Sequence, residues 1–159
     1  MTAGIVPANH TDYRRVVMGT IVGGIVLYAL GYVIFDVAVK SFYDANVGSA
    51  NGVAREPQLL WAVMLGTLGY GALVALAIEH RGGTVTVGDG VIIGALAGFL
   101  LWATADFILY GATNISNLTR TVVDPLLELV RAGVAGGVIV AVVGKRREVA
   151  RETRQAAAV

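Results

Sequence analysis

Four blocks of the sequence carry almost no charge, at residues 16–39, 59–78, 90–113 and 125–144. Each approaches or exceeds the ~20 residues that an α-helix needs to cross ~30 Å of hydrocarbon at ~1.5 Å per residue. In lipid every backbone N–H and C=O must be bonded within its own segment, so apolar blocks of this length fold as helices. They fill most of a chain of 159 residues and leave no room for a soluble catalytic domain. Charged residues make up 14% of the chain, against about 25% in a soluble domain. The expected fold is all-α: a polytopic, antiparallel four-helix transmembrane bundle forming one domain over residues 1–159. A short polar lead precedes it and a basic C-terminal tail follows it.

The distribution of charge matters more than its sum. A net charge of +1 gives no attraction for nucleic acid. If the N-terminus lies inside, Arg14, Arg15, Arg81, Lys145, Arg146, Arg147, Arg151 and Arg154 share that side. Lys40, Arg55 and Arg120 lie opposite. The positive-inside rule then places both termini in the cytoplasm. A cleaved signal peptide is not expected, because the first apolar run is too long and no A-x-A site follows it. Cysteine is absent, which removes disulfide and thiolate chemistry.

Boundaries follow from local chemistry. The first helix is expected from Arg14-Arg15 onward, with Lys40-Ser-Phe-Tyr43 as an interfacial patch whose Phe42 and Tyr43 sit at headgroup level. Glu56-Pro57 is expected to open the second helix and Asp124-Pro125 the fourth, Asp124 as N-cap and Pro125 as the first helical residue. The third is expected from Gly90. Gly19 with Gly23, and Gly133 with Gly137, have the spacing for close helix contact. The tail 145–154 is expected to continue as a charged helix along the inner leaflet. The chain can also be read as two parallel helical-hairpin repeats. Gly24 precedes Asp36 by the interval at which Gly94 precedes Asp106, Tyr32 matches Trp102, and Glu56-Pro57 matches Asp124-Pro125.

Five ionisable groups fall in or near the outer half of the membrane: Asp36, Asp106, Asp124, Glu128 and Arg131. A carboxylate at such depth costs about 2–3 kcal/mol or more, so each must face the interior and find a partner or a proton. Asp124, Glu128 and Arg131 share one helix face. Arg131, about 10 Å below Asp124, is expected at the level of Asp106 and to pair with it, Glu128 competing. Four acids against one Arg leave an excess of negative charge, which either retains protons or attracts a cation or a cationic or polyhydroxylated ligand. Trp102, Tyr110, Asn114 and Asn117 could complete the lining. The structural alternatives are a helix cap at Asp124, a solvated Asp36 and an Asp106–Arg131 clamp that only fixes register.

Other chemistry is excluded by what is missing. His10 and His80 lie at the cytoplasmic edges, so no His-based metal motif forms, and no P-loop, GxGxxG or Ser-His-Asp set is available. No cofactor or metal is implied. The sequons Asn114-Ile-Ser116 and Asn117-Leu-Thr119 match a short and common pattern and carry little weight.

Phe35-Asp36 followed by Lys40-Ser-Phe-Tyr43, then Trp102-Ala-Thr-Ala-Asp106, then Val123-Asp124 resembles the pattern of an uncharacterised family of small four-helix bacterial inner-membrane proteins. The chain departs from that pattern at Ile108-Leu109 and in carrying Glu128 and Arg131. The resemblance implies a multi-pass inner-membrane location and no particular reaction.

The expected function is therefore a site in the outer half of the bundle that binds or passes a small ligand, cation or proton, for transport or sensing. Asp106 and Arg131 form its core and Glu128, Asp36 and Asp124 its mouth. The rival is an accessory or scaffold subunit of a larger membrane complex, or a homodimer through the Gly faces, whose charges serve assembly alone. A membrane enzyme using the carboxylates as acid and base on a lipid-like substrate is the third reading.

Overall fold

The computed structural model describes residues 11–82 and 84–156. The first ten residues, with His10, and the side chains of the basic tail lie outside the described residues. Helix α1 runs Tyr13–Gly31 and passes into a π-helical stretch, Tyr32–Ala38. A short helix α2, Lys40–Ala45, follows, then α3, Leu60–His80, α4, Val87–Ala112, and α5, Leu118–Ala156. Four of these segments are long and apolar enough to cross a membrane, at mean hydropathies between 1.8 and 2.1. One end of the bundle carries α2 and the 113–117 loop; the other carries the start of α1 and the 81–86 loop.

Caps explain where most helices begin. Asp12 accepts from the backbone N–H of Arg14 at 3.1 Å and of Arg15 at 3.4 Å, so α1 starts ahead of the paired arginines. Thr86 and Asp89 form a reciprocal capping box, which starts α4 three residues before the expected Gly90. Gly82, at φ 67°, takes the left-handed conformation that closes α3. Glu56-Pro57 does not open that helix: Leu59 keeps an extended backbone, and the helix begins at Leu60.

The largest correction concerns α5. Asn117 Oδ1 accepts from the backbone N–H of Arg120 at 2.9 Å, and the N–H of Thr121 bonds to the Asn117 carbonyl. The helix is therefore capped at Asn117, and Pro125 lies inside it. Its missing N–H costs one ladder bond to Thr121. Asp124 is consequently no cap; it is a carboxylate within a membrane-spanning helix, 9% exposed.

Packing pairs α1 most closely with α3, and α4 with α5. Both seams run through small residues. A Cβ on Gly71 would lie 2.5 Å from the Gly24 nitrogen, and one on Gly90 would lie 2.5 Å from the Gly136 oxygen, so the helices touch backbone to backbone. Lipid tails are as apolar as leucine, so such close approach, with its dispersion contacts, holds membrane helices together. Gly19 and Gly23 pack as expected, against Ala75 and Ile139; on α5 Gly137 abuts Val91. The two hairpins thus share a glycine seam but differ elsewhere: Pro57 precedes α3, whereas Pro125 is internal to α5.

Two further features frame the site. The loops at the α2 end are stitched together by Gly48 N–H to the Ile115 carbonyl, Ala50 N–H to the Asn114 carbonyl and Asn117 Nδ2 to Asn46 Oδ1, each at 3.0 Å. Toward the opposite end the interior is closed by Leu27, Val74, Ile78, Ala135, Ile139, Val140 and Val143.

Candidate functional site

Arg131 lies deep in the bundle, 7% exposed, and its guanidinium is held from two helices. Nη1 donates to Glu128 Oε1 at 2.5 Å, while Nε at 2.9 Å and Nη2 at 2.7 Å both donate to the Leu27 carbonyl of α1. Glu128 is 1% exposed. Gly31 makes this insertion possible: a Cβ there would stand 2.8 Å from Nη2 and 3.1 Å from Cζ. The π-helical stretch begins at the next residue and brings the Phe35 ring to 5.6 Å from the guanidinium carbon, and the Tyr70 ring lies at 6.0 Å. A cation seated between ring faces gains from their negative quadrupole.

The expected Arg131–Asp106 pair does not form; Glu128 holds the guanidinium. The cause is register. Placing the first residue of the fourth helix at Pro125 rather than Leu118 shifts every residue on it by seven positions, about 10 Å. Asp106 is six residues from the end of α4 and Asp124 six residues from the start of α5, so these two carboxyls share a level. Arg131 lies about 10 Å deeper than either.

At that shared level the chemistry differs. The Tyr43 hydroxyl donates to Asp124 Oδ1, and the Arg120 guanidinium stacks 4.6 Å from the centre of the Tyr43 ring. Burial, together with the bond to Asp124, pushes the Tyr43 phenol above its ordinary value, so it remains a donor. Asp106 interacts with Asp124 and Arg120, yet its Oδ2 is buried with no hydrogen-bond partner. Both acids line a cavity of about 320 Å³ with Arg120, Trp102, Glu128 and Arg131. Three carboxyls thus face two guanidiniums, and one pair of those charges is already spent between Glu128 and Arg131.

Four of the five expected residues, Asp106, Asp124, Glu128 and Arg131, therefore border one cavity. Asp36 does not. It is exposed on the π-helical stretch and borders only a second groove, while its neighbour Phe35 borders both that groove and the chamber. Of the supposed lining residues only Trp102 takes part. Tyr110 and Asn114 are exposed, and Asn117 is occupied as a cap. Sequence reasoning missed Tyr43, assigned to headgroup level, and Arg120, counted only as a loop charge. The position of Arg120 three residues after a capping Asn was the available signal.

Three further buried polar atoms lie in or near the chamber wall. The Tyr70 hydroxyl and Trp102 Nε1 are buried without a bond of good geometry, as is Glu128 Oε2. Gly98 leaves the space that the Tyr70 hydroxyl fills. Among the described residues no group of three or more His, Asp or Glu is placed to hold a metal ion.

No family model, curated protein or solved structure matches this chain. The resemblance carried by Trp102-Ala-Thr-Ala-Asp106 and Val123-Asp124 thus identifies no family. What the helices establish is the class: a small multi-pass membrane protein whose apolar faces contact lipid, with a buried Glu128–Arg131 pair inside it.

Proposed function

We propose that the chamber at the α2 end binds a proton or a small cation, including a small cationic organic molecule, and that Asp106 is its principal ligand group. The observation that carries this reading is the buried, unpartnered Oδ2 of Asp106 beside a second carboxylate, Asp124. A carboxylate in that setting is costly until a proton or a positive charge joins it. Tyr43 occupies Asp124 and Arg131 neutralises Glu128. Asp106 is the carboxyl left to meet the ligand, with neither an ion pair nor a hydrogen bond at its buried oxygen among the described residues.

The interior argues for binding or sensing over passage. Among the described residues, Leu27, Val74, Ala135 and Ile139 below Arg131 belong to one buried apolar cluster, which disfavours the passage of an ion. Eight basic residues lie on the side of the termini against three opposite, which supports cytoplasmic termini and a chamber facing outward. The motif resemblance noted above supports a bacterial inner membrane.

The test is the thermal stability of the purified protein in mild detergent, followed against pH and against added Na⁺, K⁺ or a small alkylammonium. The wild type should respond to protons or to one of these cations, and Asp106→Asn should fold and lose the response. A wild type indifferent to all of them, with Asp106→Asn merely less stable, would sink the reading. The charges would then serve assembly with a partner subunit, recognisable by its copurification.

A further inference from the structure

A second cavity, about 830 Å³, is walled by the end of α1 with its π-helical stretch and by α3. It reaches Leu101 and Trp102 of α4 across the α3–α4 seam, the loosest between neighbouring helices. Its volume lies within the ~300–1,000 Å³ of typical ligand pockets. Leu60, Val63, Leu73 and Leu101 form lips that are themselves exposed, so in a membrane the mouth meets lipid. Five of the chain's twelve aromatic residues line it: Tyr28, Tyr32, Phe35, Tyr70 and Trp102. Its floor is Arg131, shared with the chamber.

Glycine keeps this groove wide. Most glycines of α1 and α4 are explained by close helix contact, but a Cβ on Gly66 or Gly69 of α3 would meet nothing within 4 Å. Glycine is the poorest helix former after proline, so two in one helix without a packing partner call for another reason. Both line the groove.

The floor also limits what can occupy it. A guanidinium has five N–H donors, and three are engaged by Leu27 and Glu128. The remaining two favour a hydrogen-bond acceptor. The positive charge is already matched by Glu128, and Asp36 stands on the rim, so an anionic head is disfavoured. Aromatic walls favour a flat ring.

We propose that the groove between α3 and α4 binds a membrane-dissolved amphiphile of the quinone class, its uncharged carbonyl ring among the aromatic side chains near Arg131 and its apolar tail leaving between the two helices into lipid. This goes beyond the chamber and does not depend on it, since neither Asp106 nor Asp124 borders the groove.

Quinones quench tryptophan, and Trp102 is in the wall while Trp61 is 67% exposed. The experiment is therefore a titration of the full-length Trp61→Phe protein in detergent with a short-tailed quinone, read as Trp102 fluorescence. Saturable quenching is expected. Gly66→Leu and Gly69→Leu should remove the saturable part, raising the apparent Kd at least tenfold without loss of folding. Gly111→Leu, equally open but outside the groove, should leave it unchanged. Should the glycine variants unfold, Leu101→Phe narrows the mouth from α4 and must have the same effect. Quenching that never saturates, or that is equal in all variants, overturns the proposal. An equal response to phosphatidylglycerol assigns the groove to bilayer lipid and also overturns it. So does a change of oligomeric state in Gly66→Leu or Gly69→Leu, which makes the groove an interface between copies.

Discussion

Two groups of charges meet along α5, Glu128 with Arg131 on that helix and Asp124 with Asp106 of α4, and they are built to opposite ends. Glu128 and Arg131 form a closed clamp: the guanidinium is tied to a carboxylate on its own helix and to a carbonyl on α1, nearly out of reach of solvent. Asp124 and Asp106 form an open pair: one is held by Tyr43, while the other presents a buried oxygen with nothing bonded to it. Depth alone would rank the clamp as the more notable site. Charge accounting reverses that order: Glu128 also keeps one unbonded oxygen, but its charge is matched by Arg131, whereas Asp106 has no ion pair among the described residues and waits for a ligand.

Breaking the clamp should have the largest effect. Arg131→Met leaves Glu128 buried without its partner, and a loss of about 3–5 kcal/mol of unfolding free energy is expected, measurable by denaturant titration in mixed micelles. The double variant Glu128→Leu/Arg131→Met sharpens the comparison. If the pair is only a clamp, replacing both charges with apolar groups should recover most of that loss. Gly31→Ala comes next. Its methyl would meet Nη2 at 2.8 Å with the helix backbone behind it, and overpacking of this kind typically costs about 1–3 kcal/mol. The same substitution at Gly111, which has open space, should be neutral or stabilising.

Tyr43→Phe tests the join between the two regions. It removes the hydroxyl that Asp124 accepts, a bond to a charged group worth roughly 1.5–3 kcal/mol, and the half-buried position points to the lower figure. Its pH dependence is also defined. The phenol is raised in the folded protein, so the folded state holds its proton more tightly than the unfolded chain does. That contribution is complete below the unfolded value of about 10 and is lost as pH rises beyond it. The wild type should therefore lose stability above about pH 10 more steeply than Tyr43→Phe. A tyrosinate absorbance difference between the two below pH 11 would contradict the buried bond.

The sequence made the four spans readable because lipid leaves helix as the only solution for long apolar blocks. It also identified the acids and the arginine, since charges in such blocks are few. What it misplaced was register. Asp124-Pro125 looks like a helix start because proline belongs there by preference, but Asn117 makes a competing cap with its side chain and moves the start by two turns. That single displacement paired Arg131 with the wrong acid. Asp36 takes the solvated alternative: it is exposed on the π-helical stretch Tyr32–Ala38, whose wider turn departs from the 3.6-residue period just where Asp36 sits. Gly31 and the Leu27 carbonyl were invisible, because a backbone acceptor leaves no mark in the sequence.

The smallest change in stability should come from the residue on which the functional reading rests. Asp106→Asn removes a charge that has no bonded partner at Oδ2 and supplies an amide that can donate toward Asp124. The expected change is no more than about 1 kcal/mol and in the stabilising direction. Destabilisation of the size expected for Arg131→Met would instead mean that Asp106 already belongs to a closed network like the clamp. A stable Asp106→Asn protein that has lost its response to protons or cations separates the two regions cleanly. The clamp is then read out by unfolding and the chamber by ligand, although Glu128 and Arg131 border the same cavity as Asp106.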